Sequence, residues 1–243
     1  FKEDIIKDSI AGNLCRCTGY KPIIKAAKSL QTKNKIDHFV KNKKKTISLL
    51  KKIGNKSITI YQKNKKYFAP RYISELKKIL KKNTNSKLLS GGTDLSLVVT
   101  KERKDIESII YMNSIKELNY IKNNNKYIEV GATTSLNDFE KYIVKYYPDF
   151  NKILKRYGST QIRNVATLAG NIATASPIGD NLPLLMALDC QIVLQGIKKS
   201  KILSINDFFI GYRKTKLKTG QFIHSIRIPI FKKNIFKAYK ISK

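Results

Sequence analysis

Residues 157–180 read YGSTQIRNVATLAGNIATASPIGD, and this stretch differs from the rest of the chain in charge. Lysine and arginine make up 49 of the 243 residues, yet between Arg156 and Lys198 there is no lysine and the only arginine is Arg163. Small residues, amides and hydroxyls take their place. Small side chains let the backbone approach a ligand closely, and the polar groups offer uncharged hydrogen-bond donors to a phosphate or a ring edge. A ligand-binding segment and a buried turn rich in small residues both remain open as interpretations.

A second stretch, residues 87–94, reads KLLSGGTD. Its apolar start predicts a short strand that opens into a glycine loop. Paired glycines followed by a hydroxyl allow backbone amides to converge on a phosphate, as in an anion-binding nest. An ordinary Gly-Gly turn is the alternative, and this stretch taken alone favours the turn.

The formal net charge of +32 would normally indicate a polyanionic partner such as nucleic acid. The lysines are instead scattered over every segment except the central one, whereas a nucleic-acid-binding protein gathers them on one face among stacking aromatics. They accompany many Asn and Ile residues, a bias typical of an AT-rich genome. We therefore expect no nucleic-acid partner, with a basic nucleic-acid-binding protein kept as the alternative of another class. No apolar run approaches the ~20 residues of a membrane span, so we also expect a soluble protein with no membrane partner.

Helix and strand signals alternate along the chain after residue 67. Ser135 predicts the N-cap of an amphipathic helix over residues 136–147. Strand signals lack regular βαβ spacing, and the chain has no Gly-x-Gly-x-x-Gly turn of the Rossmann type. We therefore expect an α+β fold. Residues 32–66, rich in Lys and Asn with weak periodicity, predict a connecting segment.

Two of the three cysteines, Cys15 and Cys17, lie one residue apart, a spacing more natural for two thiolates at one metal centre than for a disulfide. An iron–sulfur cluster normally takes four protein ligands. Cys190 lies in an apolar strand-like run and is expected to be a small core residue. The other ligands would then lie upstream of Phe1, and the chain reads as truncated at both ends. A pair of inert thiols is the alternative.

Residues 12–23 read GNLCRCTGYKPI and resemble the second cysteine motif of the all-helical 2Fe-2S domain in molybdenum hydroxylases. This is the family of xanthine dehydrogenase, aldehyde oxidase and carbon monoxide dehydrogenase. The resemblance implies that Cys15 and Cys17 are metal ligands, with two more cysteines in an earlier motif that this chain does not include.

The family's flavoprotein domain carries the resemblance further. Residues 87–94 are similar to its first FAD-binding loop, and residues 157–180 to its second FAD segment, in which Ala169 stands where the family usually has a glycine. Two later positions fall where the family has a flavin-side apolar contact and a flavin-side lysine. The resemblance implies these cofactor-binding residues: Lys87, Leu88, Leu89, Ser90, Gly91, Gly92, Thr93, Asp94, Tyr157, Ala166, Thr167, Leu168, Ala169, Gly170, Asn171, Thr174, Asp180, Ile223 and Lys240.

The resemblance predicts a domain order. Residues 1–31 form the end of an all-helical 2Fe-2S domain, 32–66 a linker, 67–231 a two-subdomain α+β FAD-binding domain of the PCMH type, as in carbon monoxide dehydrogenase flavoproteins, and 232–243 the start of a C-terminal flavoprotein domain.

The function implied by the resemblance is that of a cytoplasmic electron-transfer subunit of a xanthine dehydrogenase-type oxidoreductase. Electrons would pass from a molybdopterin cofactor on a large partner subunit through 2Fe-2S clusters to FAD and on to NAD, in a hetero-oligomer. We find no candidate catalytic nucleophile or acid/base pair, because His38 and His224 are each expected to be surface or packing residues. The alternatives are the FAD subunit of an aldehyde oxidase or carbon monoxide dehydrogenase-type enzyme, and a related cell-wall-precursor flavin reductase, which would lack the cluster.

Overall fold

The computed structural model describes residues 2–30, 37–54, 56–231 and 235–241. The chain divides into two units, Phe1–Lys56 and Ser57–Lys243. No helix in these described ranges is long and apolar enough to cross a membrane.

The first unit is helical. Pro22 lies in the first turn of its second helix, where a proline ring fits without loss of a hydrogen bond. Asp37 caps the third helix, because its carboxylate accepts a 2.8 Å hydrogen bond from the Val40 N–H. Lys28 donates a 2.5 Å hydrogen bond to Glu3 and so links the first two helices. The helices are α1 (Glu3–Ile10), α2 (Lys21–Ser29) and α3 (His38–Lys52).

The second unit begins with a four-stranded mixed sheet of order β1-β2-β4-β3, in which only the β1–β2 pair is antiparallel. Helix α4 packs Leu76 and Leu80 against Phe68 and Ile110 of the sheet. The elements are β1 (Ile58–Gln62), β2 (Lys65–Ala69), α4 (Ile73–Lys82), β3 (Lys87–Leu89), α5 (Leu95–Thr100) and β4 (Ser108–Tyr111).

The predicted connecting segment over residues 32–66 extends too far into the second unit, and it is not free of secondary structure. Its described part contains helix α3 and strand β1, and the second unit begins at Ser57, ten residues before the predicted start. Neither element can be predicted from apolar periodicity. Strand β1 is exposed along its whole length and helix α3 buries none of its residues, so neither has a buried apolar stripe. Residues 31–36 and 55 lie outside the described residues.

A five-stranded antiparallel sheet of order β5-β6-β11-β7-β8 forms the second half of this unit. The apolar positions of β6, β7 and β11 pack against four helices of this half and form the larger hydrophobic core. The elements are β5 (Ile121–Asn123), β6 (Tyr127–Gly131), α6 (Leu136–Ile143), α7 (Pro148–Lys155), α8 (Thr160–Arg163), α9 (Leu168–Ala173), α10 (Asn181–Ala187), β7 (Gln191–Gln195), β8 (Ser200–Ser204), the hairpin strands β9 (Phe209–Gly211) and β10 (Lys214–Thr215), and β11 (Phe222–Pro229).

These sheets confirm the α+β prediction, and the predicted N-cap at Ser135 is confirmed by a 3.1 Å hydrogen bond from the Asp138 N–H to its hydroxyl. The predicted single helix over residues 136–147 is wrong in length. Helix α6 ends at Ile143, and a new helix begins at Pro148, where a proline has no N–H to continue the first one.

The sheet face opposite the core carries a polar network around Glu129. The Glu129 carboxylate accepts hydrogen bonds from Ser225 Oγ at 2.6 Å, Tyr120 Oη at 3.0 Å and Arg227 Nε at 3.1 Å. Three donors on one half-buried carboxylate stabilise its ionised form.

Candidate cofactor-binding cleft

Two loops rich in small residues meet in the second unit, one after β3 and one before α9. A Cβ atom on Gly91 would lie 2.1 Å from the carbonyl oxygen of Val165 and 2.9 Å from the Cα of Ala166. No side chain fits there, so glycine is what allows the two backbones to touch. The next residue, Gly92, has a φ of +72°, a left-handed conformation that glycine adopts without strain. Gly91 thus permits the backbone contact, and Gly92 permits the left-handed turn.

A cleft of about 770 Å³, open solvent included, lies where these loops meet. Its size is in the range of small-molecule and cofactor sites. Its lining is mainly apolar, with a few hydroxyls, one amide and one carboxylate. The lining residues are Leu88, Leu89, Ser90, Gly91, Gly92, Thr93, Asp94, Leu95, Met112, Ala132, Ala166, Thr167, Ala169, Gly170, Asn171, Ala173, Thr174, Leu217, Phe222 and Ile223.

The loop after β3 offers backbone donors to this cleft. Within the described ranges, the N–H groups of residues 91–94 donate to no protein atom. In the facing loop, the Thr167 hydroxyl accepts a 2.9 Å hydrogen bond from the Gly170 N–H and so caps α9. Consecutive backbone N–H groups that have no protein acceptor, at a turn with a positive φ, are the arrangement that binds phosphate oxygens.

Asn171 is the amide in the cleft wall, and both ends of that amide are held. Its Nδ2 donates to Tyr157 Oη at 3.0 Å, and its Oδ1 accepts from Asn181 Nδ2 at 3.1 Å. Burial raises the pKa of the Tyr157 phenol, and the negative charges of Asp180 and Asp94 raise it further. Tyr157 therefore carries its proton at neutral pH and is a hydrogen-bond donor beside the cleft.

Lys240 forms an ion pair with Asp180 at 2.6 Å, and both side chains are about one-quarter exposed. The Lys240 ammonium also donates to the carbonyl oxygen of Arg156 at 3.4 Å. Phe236, in the same segment, packs edge-on against Tyr147 with ring centroids 5.2 Å apart. The segment of residues 235–241 thus lies along α7 and brings a cation to the start of α10.

The structure brings fourteen of the nineteen predicted cofactor-binding residues into the lining of one cleft. The five others are placed differently. Lys87 is exposed on β3, and Leu168 is buried in the core. Tyr157 does not line the cleft but accepts a hydrogen bond from the lining residue Asn171, and Asp180 and Lys240 pair with each other.

Six lining residues were not predicted, and they come from separate parts of the chain: Leu95, Met112, Ala132, Ala173, Leu217 and Phe222. Five of them are apolar or small residues outside the two quoted stretches. Ala173 lies within residues 157–180, the charge-poor run, and that position was the one signal that could have identified any of the six.

The two close cysteines lie in the first unit. Cys17 is exposed and Cys15 is partly exposed, with its sulfur 3.4 Å from the Thr18 hydroxyl oxygen. This hydroxyl, together with the backbone N–H groups of Thr18 and Cys17, lowers the pKa of the Cys15 thiol. No group of three or more metal-ligating side chains occurs among the residues that the structure describes. Cys15 and Cys17 therefore offer half of the ligand set that a 2Fe-2S cluster needs, and the described residues do not complete it.

Cys190 is fully buried in the core of the second unit, and burial raises the pKa of its thiol. The histidines lie apart from the cleft lining. The His38 ring lies 4.0 Å from that of Phe39, and His224 is partly buried on β11, where burial lowers its pKa.

The cleft lies within the second unit, with a glycine loop at one wall and mainly apolar residues along the rest, a composition typical of small-molecule and cofactor sites. Residues 60–231 match the family model described as the FAD binding domain in molybdopterin dehydrogenase. The chain belongs to this family, and the resemblance drawn from residues 87–94 and 157–180 is confirmed.

Xanthine dehydrogenase of Emericella nidulans is 28% identical over 99% of this chain, which spans 22% of that protein. The nicotinate dehydrogenase FAD-subunit of Eubacterium barkeri is 30% identical over 61% of this chain and 52% of its own length. The structure of carbon monoxide dehydrogenase from Hydrogenophaga pseudoflava superimposes with a TM-score of 0.66, at 28% identity, over 72% of this chain and 62% of that one. The chain thus spans about a fifth of the length of the xanthine dehydrogenase that it matches.

Proposed function

We propose that this chain holds FAD in the cleft and serves as the electron-transfer part of a xanthine dehydrogenase-type oxidoreductase. The observation that carries the proposal is the packing of Gly91 on Val165, which joins the two predicted FAD stretches into one cleft. The uncommitted amides of residues 91–94 suit a pyrophosphate. The apolar lining suits a flat ring system.

Bound FAD would supply chemistry that links one-electron carriers to two-electron acceptors. The chain's own residues bind and orient it. Apolar side chains such as Leu217, Phe222 and Ile223 line the cleft and would exclude water from a bound ring system. Asn171 and Tyr157 present fixed donors, and Lys240 keeps a positive charge next to Asp180 near that wall.

In the whole protein, we propose that electrons come from a molybdenum site on a large partner subunit, pass through 2Fe-2S clusters and leave from FAD to NAD. Residues 1–31 would be the end of the cluster domain, with Cys15 and Cys17 as two of its ligands. The described residues hold no further ligands for a cluster, so no step through it is derived from this chain. The FAD domain would run to residue 231, and the assembly would be a cytoplasmic hetero-oligomer. The resemblance at residues 12–23 and the similarity to xanthine dehydrogenase over 99% of the chain support this role.

A second candidate keeps the same cleft but changes the enzyme around it. The carbon monoxide dehydrogenase of Hydrogenophaga pseudoflava shares this fold at a TM-score of 0.66. The FAD subunit of an enzyme of that type is therefore the alternative, and an identified reducing substrate would separate the two.

The test is the visible absorption spectrum of the purified full chain, followed by identification of any chromophore released on denaturation. We expect flavin absorption bands and about one FAD per chain, either as purified or after reconstitution. A folded, colourless protein that cannot be reconstituted with FAD would overturn the proposal. Salt-dependent binding to DNA by such a colourless protein would favour the nucleic-acid-binding alternative instead.

A further inference from the structure

Asn181 is a fully buried amide at the first position of α10. It lies beside Leu182 and on the same helix as the core residue Leu185. Its Oδ1 atom is buried and accepts no hydrogen bond from any described residue. An unpaired buried polar atom is costly, and few such atoms occur in native proteins. A leucine at this position would avoid that cost, so the amide calls for a physical explanation.

Among the described residues, Asn181 makes one side-chain hydrogen bond, and that bond leads to the cleft. Its Nδ2 donates to Asn171 Oδ1 at 3.1 Å, and Asn171 Nδ2 in turn donates to Tyr157 Oη at 3.0 Å. Asn171 is 8% exposed and lines the cleft, whereas Asn181 is 0% exposed and does not. The three side chains form one chain of hydrogen bonds that runs from the core to the cleft wall.

We propose that Asn181 is a positioning residue, which fixes the orientation of the Asn171 amide for the bound ligand. A carboxamide held at one end only can rotate by half a turn and exchange its donor for its acceptor at the cleft surface. With Oδ1 held by Asn181, the Nδ2 group stays toward Tyr157, and the Tyr157 hydroxyl proton is left free to donate. A wall that is already in its binding geometry loses less entropy when the ligand binds. The inference rests on the proposed binding of FAD.

The test compares Asn181→Leu with Asn151→Leu in the full chain. Asn151 is a matched control, since it is also a buried amide with an unpaired Oδ1 and it does not line the cleft. Thermal unfolding and FAD titration by flavin fluorescence are measured for each protein. We expect the FAD dissociation constant to rise about three- to tenfold in Asn181→Leu, as for the loss of one hydrogen bond. The constant for Asn151→Leu should stay within twofold of the wild-type value, whatever its melting temperature.

A double-mutant cycle separates positioning from simple destabilisation. Tyr157→Phe removes only the hydroxyl group at the end of this series of hydrogen bonds, and the phenylalanine ring fits the space of the tyrosine ring. We expect it to weaken FAD binding by a similar factor, and we expect the Asn181→Leu/Tyr157→Phe double variant to bind no more weakly than the weaker single variant. Additive losses, or wild-type affinity in Asn181→Leu, would overturn the inference while leaving FAD binding intact. A wild-type chain that binds no FAD would overturn the proposed function as well.

Discussion

Replacing Gly91 with alanine tests the contact on which the cleft depends. The added methyl carbon would lie 2.1 Å from the Val165 carbonyl oxygen and 2.6 Å from its carbonyl carbon. Carbon–oxygen contacts are normally about 3.3 Å or longer, so the two loops would have to separate by about 1 Å. Overpacking costs about 1–3 kcal/mol. The upper end applies here, because the obstructing atoms belong to the backbone and cannot rotate away.

A loss of about 3 kcal/mol in a domain of this size lowers the melting temperature by about 6–12 °C. The same separation moves the two walls of the cleft apart, so we expect FAD affinity to fall by about tenfold or more. Differential scanning calorimetry and fluorescence titration measure the two effects. Gly92→Ala should lower stability by only about 1–2 kcal/mol, since its methyl group meets a flexible Leu89 methyl at 3.1 Å and the cost is mainly the left-handed φ. Gly54→Ala is the control, because the added methyl would have no described residue other than its chain neighbours within 4 Å.

A Gly91→Ala variant that melts within about 2 °C of wild type and binds FAD equally well would contradict this prediction. In that case the loops would not be in contact, and the convergence of residues 87–94 and 157–180 would need another explanation. A variant that is destabilised but keeps full affinity would refute only the link between the contact and binding.

Three further outcomes are expected. Cys15 should react with iodoacetamide at neutral pH much faster than Cys190 in the folded protein, because hydrogen bonds lower the pKa of Cys15 whereas burial raises the pKa of Cys190. Thr18→Val should shift the pH dependence of the Cys15 reaction rate to higher pH. Burial raises the pKa of Glu129, but its three hydrogen-bond donors outweigh that effect, so the pKa of Glu129 in the folded protein lies below the ordinary 4.5. The ionised carboxylate therefore stabilises the fold above pH 4.5, and this stabilisation is lost as the pH falls through the folded pKa. Glu129→Gln should flatten the acid limb of a stability–pH curve measured by urea unfolding. Thr167→Ala should cost about 1 kcal/mol in the same assay, because it removes the N-cap of α9, whereas equal stability would argue against the cap.

The sequence was sufficient to predict the two walls of the cleft because their chemistry is local. Paired glycines and a charge-free run of small residues indicate a close backbone approach whatever the fold around them. Neither stretch, however, indicates what it approaches. The contact between Gly91 and Val165 joins residues more than seventy positions apart, and only the folded sheets bring them together.

The positions that sequence reasoning missed depend on such long-range packing. Met112 and Phe222 are ordinary apolar residues in sequence, and they line the cleft because β4 ends and β11 begins beside it. Helix α3 and strand β1 were missed for the opposite reason. They bury too little apolar surface to produce a periodic pattern, so the sequence resembles that of a linker.

Both interpretations of the charge-poor run are compatible with the structure, since α9 has two environments. Leu168 and Ile172 are buried in the hydrophobic core, while Gly170 and Thr174 line the cleft. A lysine on either side would have to lose its hydration or block the ligand, which explains why the run carries none.

The one arginine within the charge-poor run supports the same explanation. Arg163 is 3% exposed, and its guanidinium donates to the backbone carbonyl of Tyr157 at 3.3 Å and to the Thr160 hydroxyl at 3.1 Å. It is used inside the fold, to hold the turn that carries Tyr157 toward Asn171. The cation that lies near this wall of the cleft, Lys240, comes from another segment and is paired with Asp180. The segment that forms the cleft wall thus excludes free charge, and a positive charge is added beside the wall only where a carboxylate balances it.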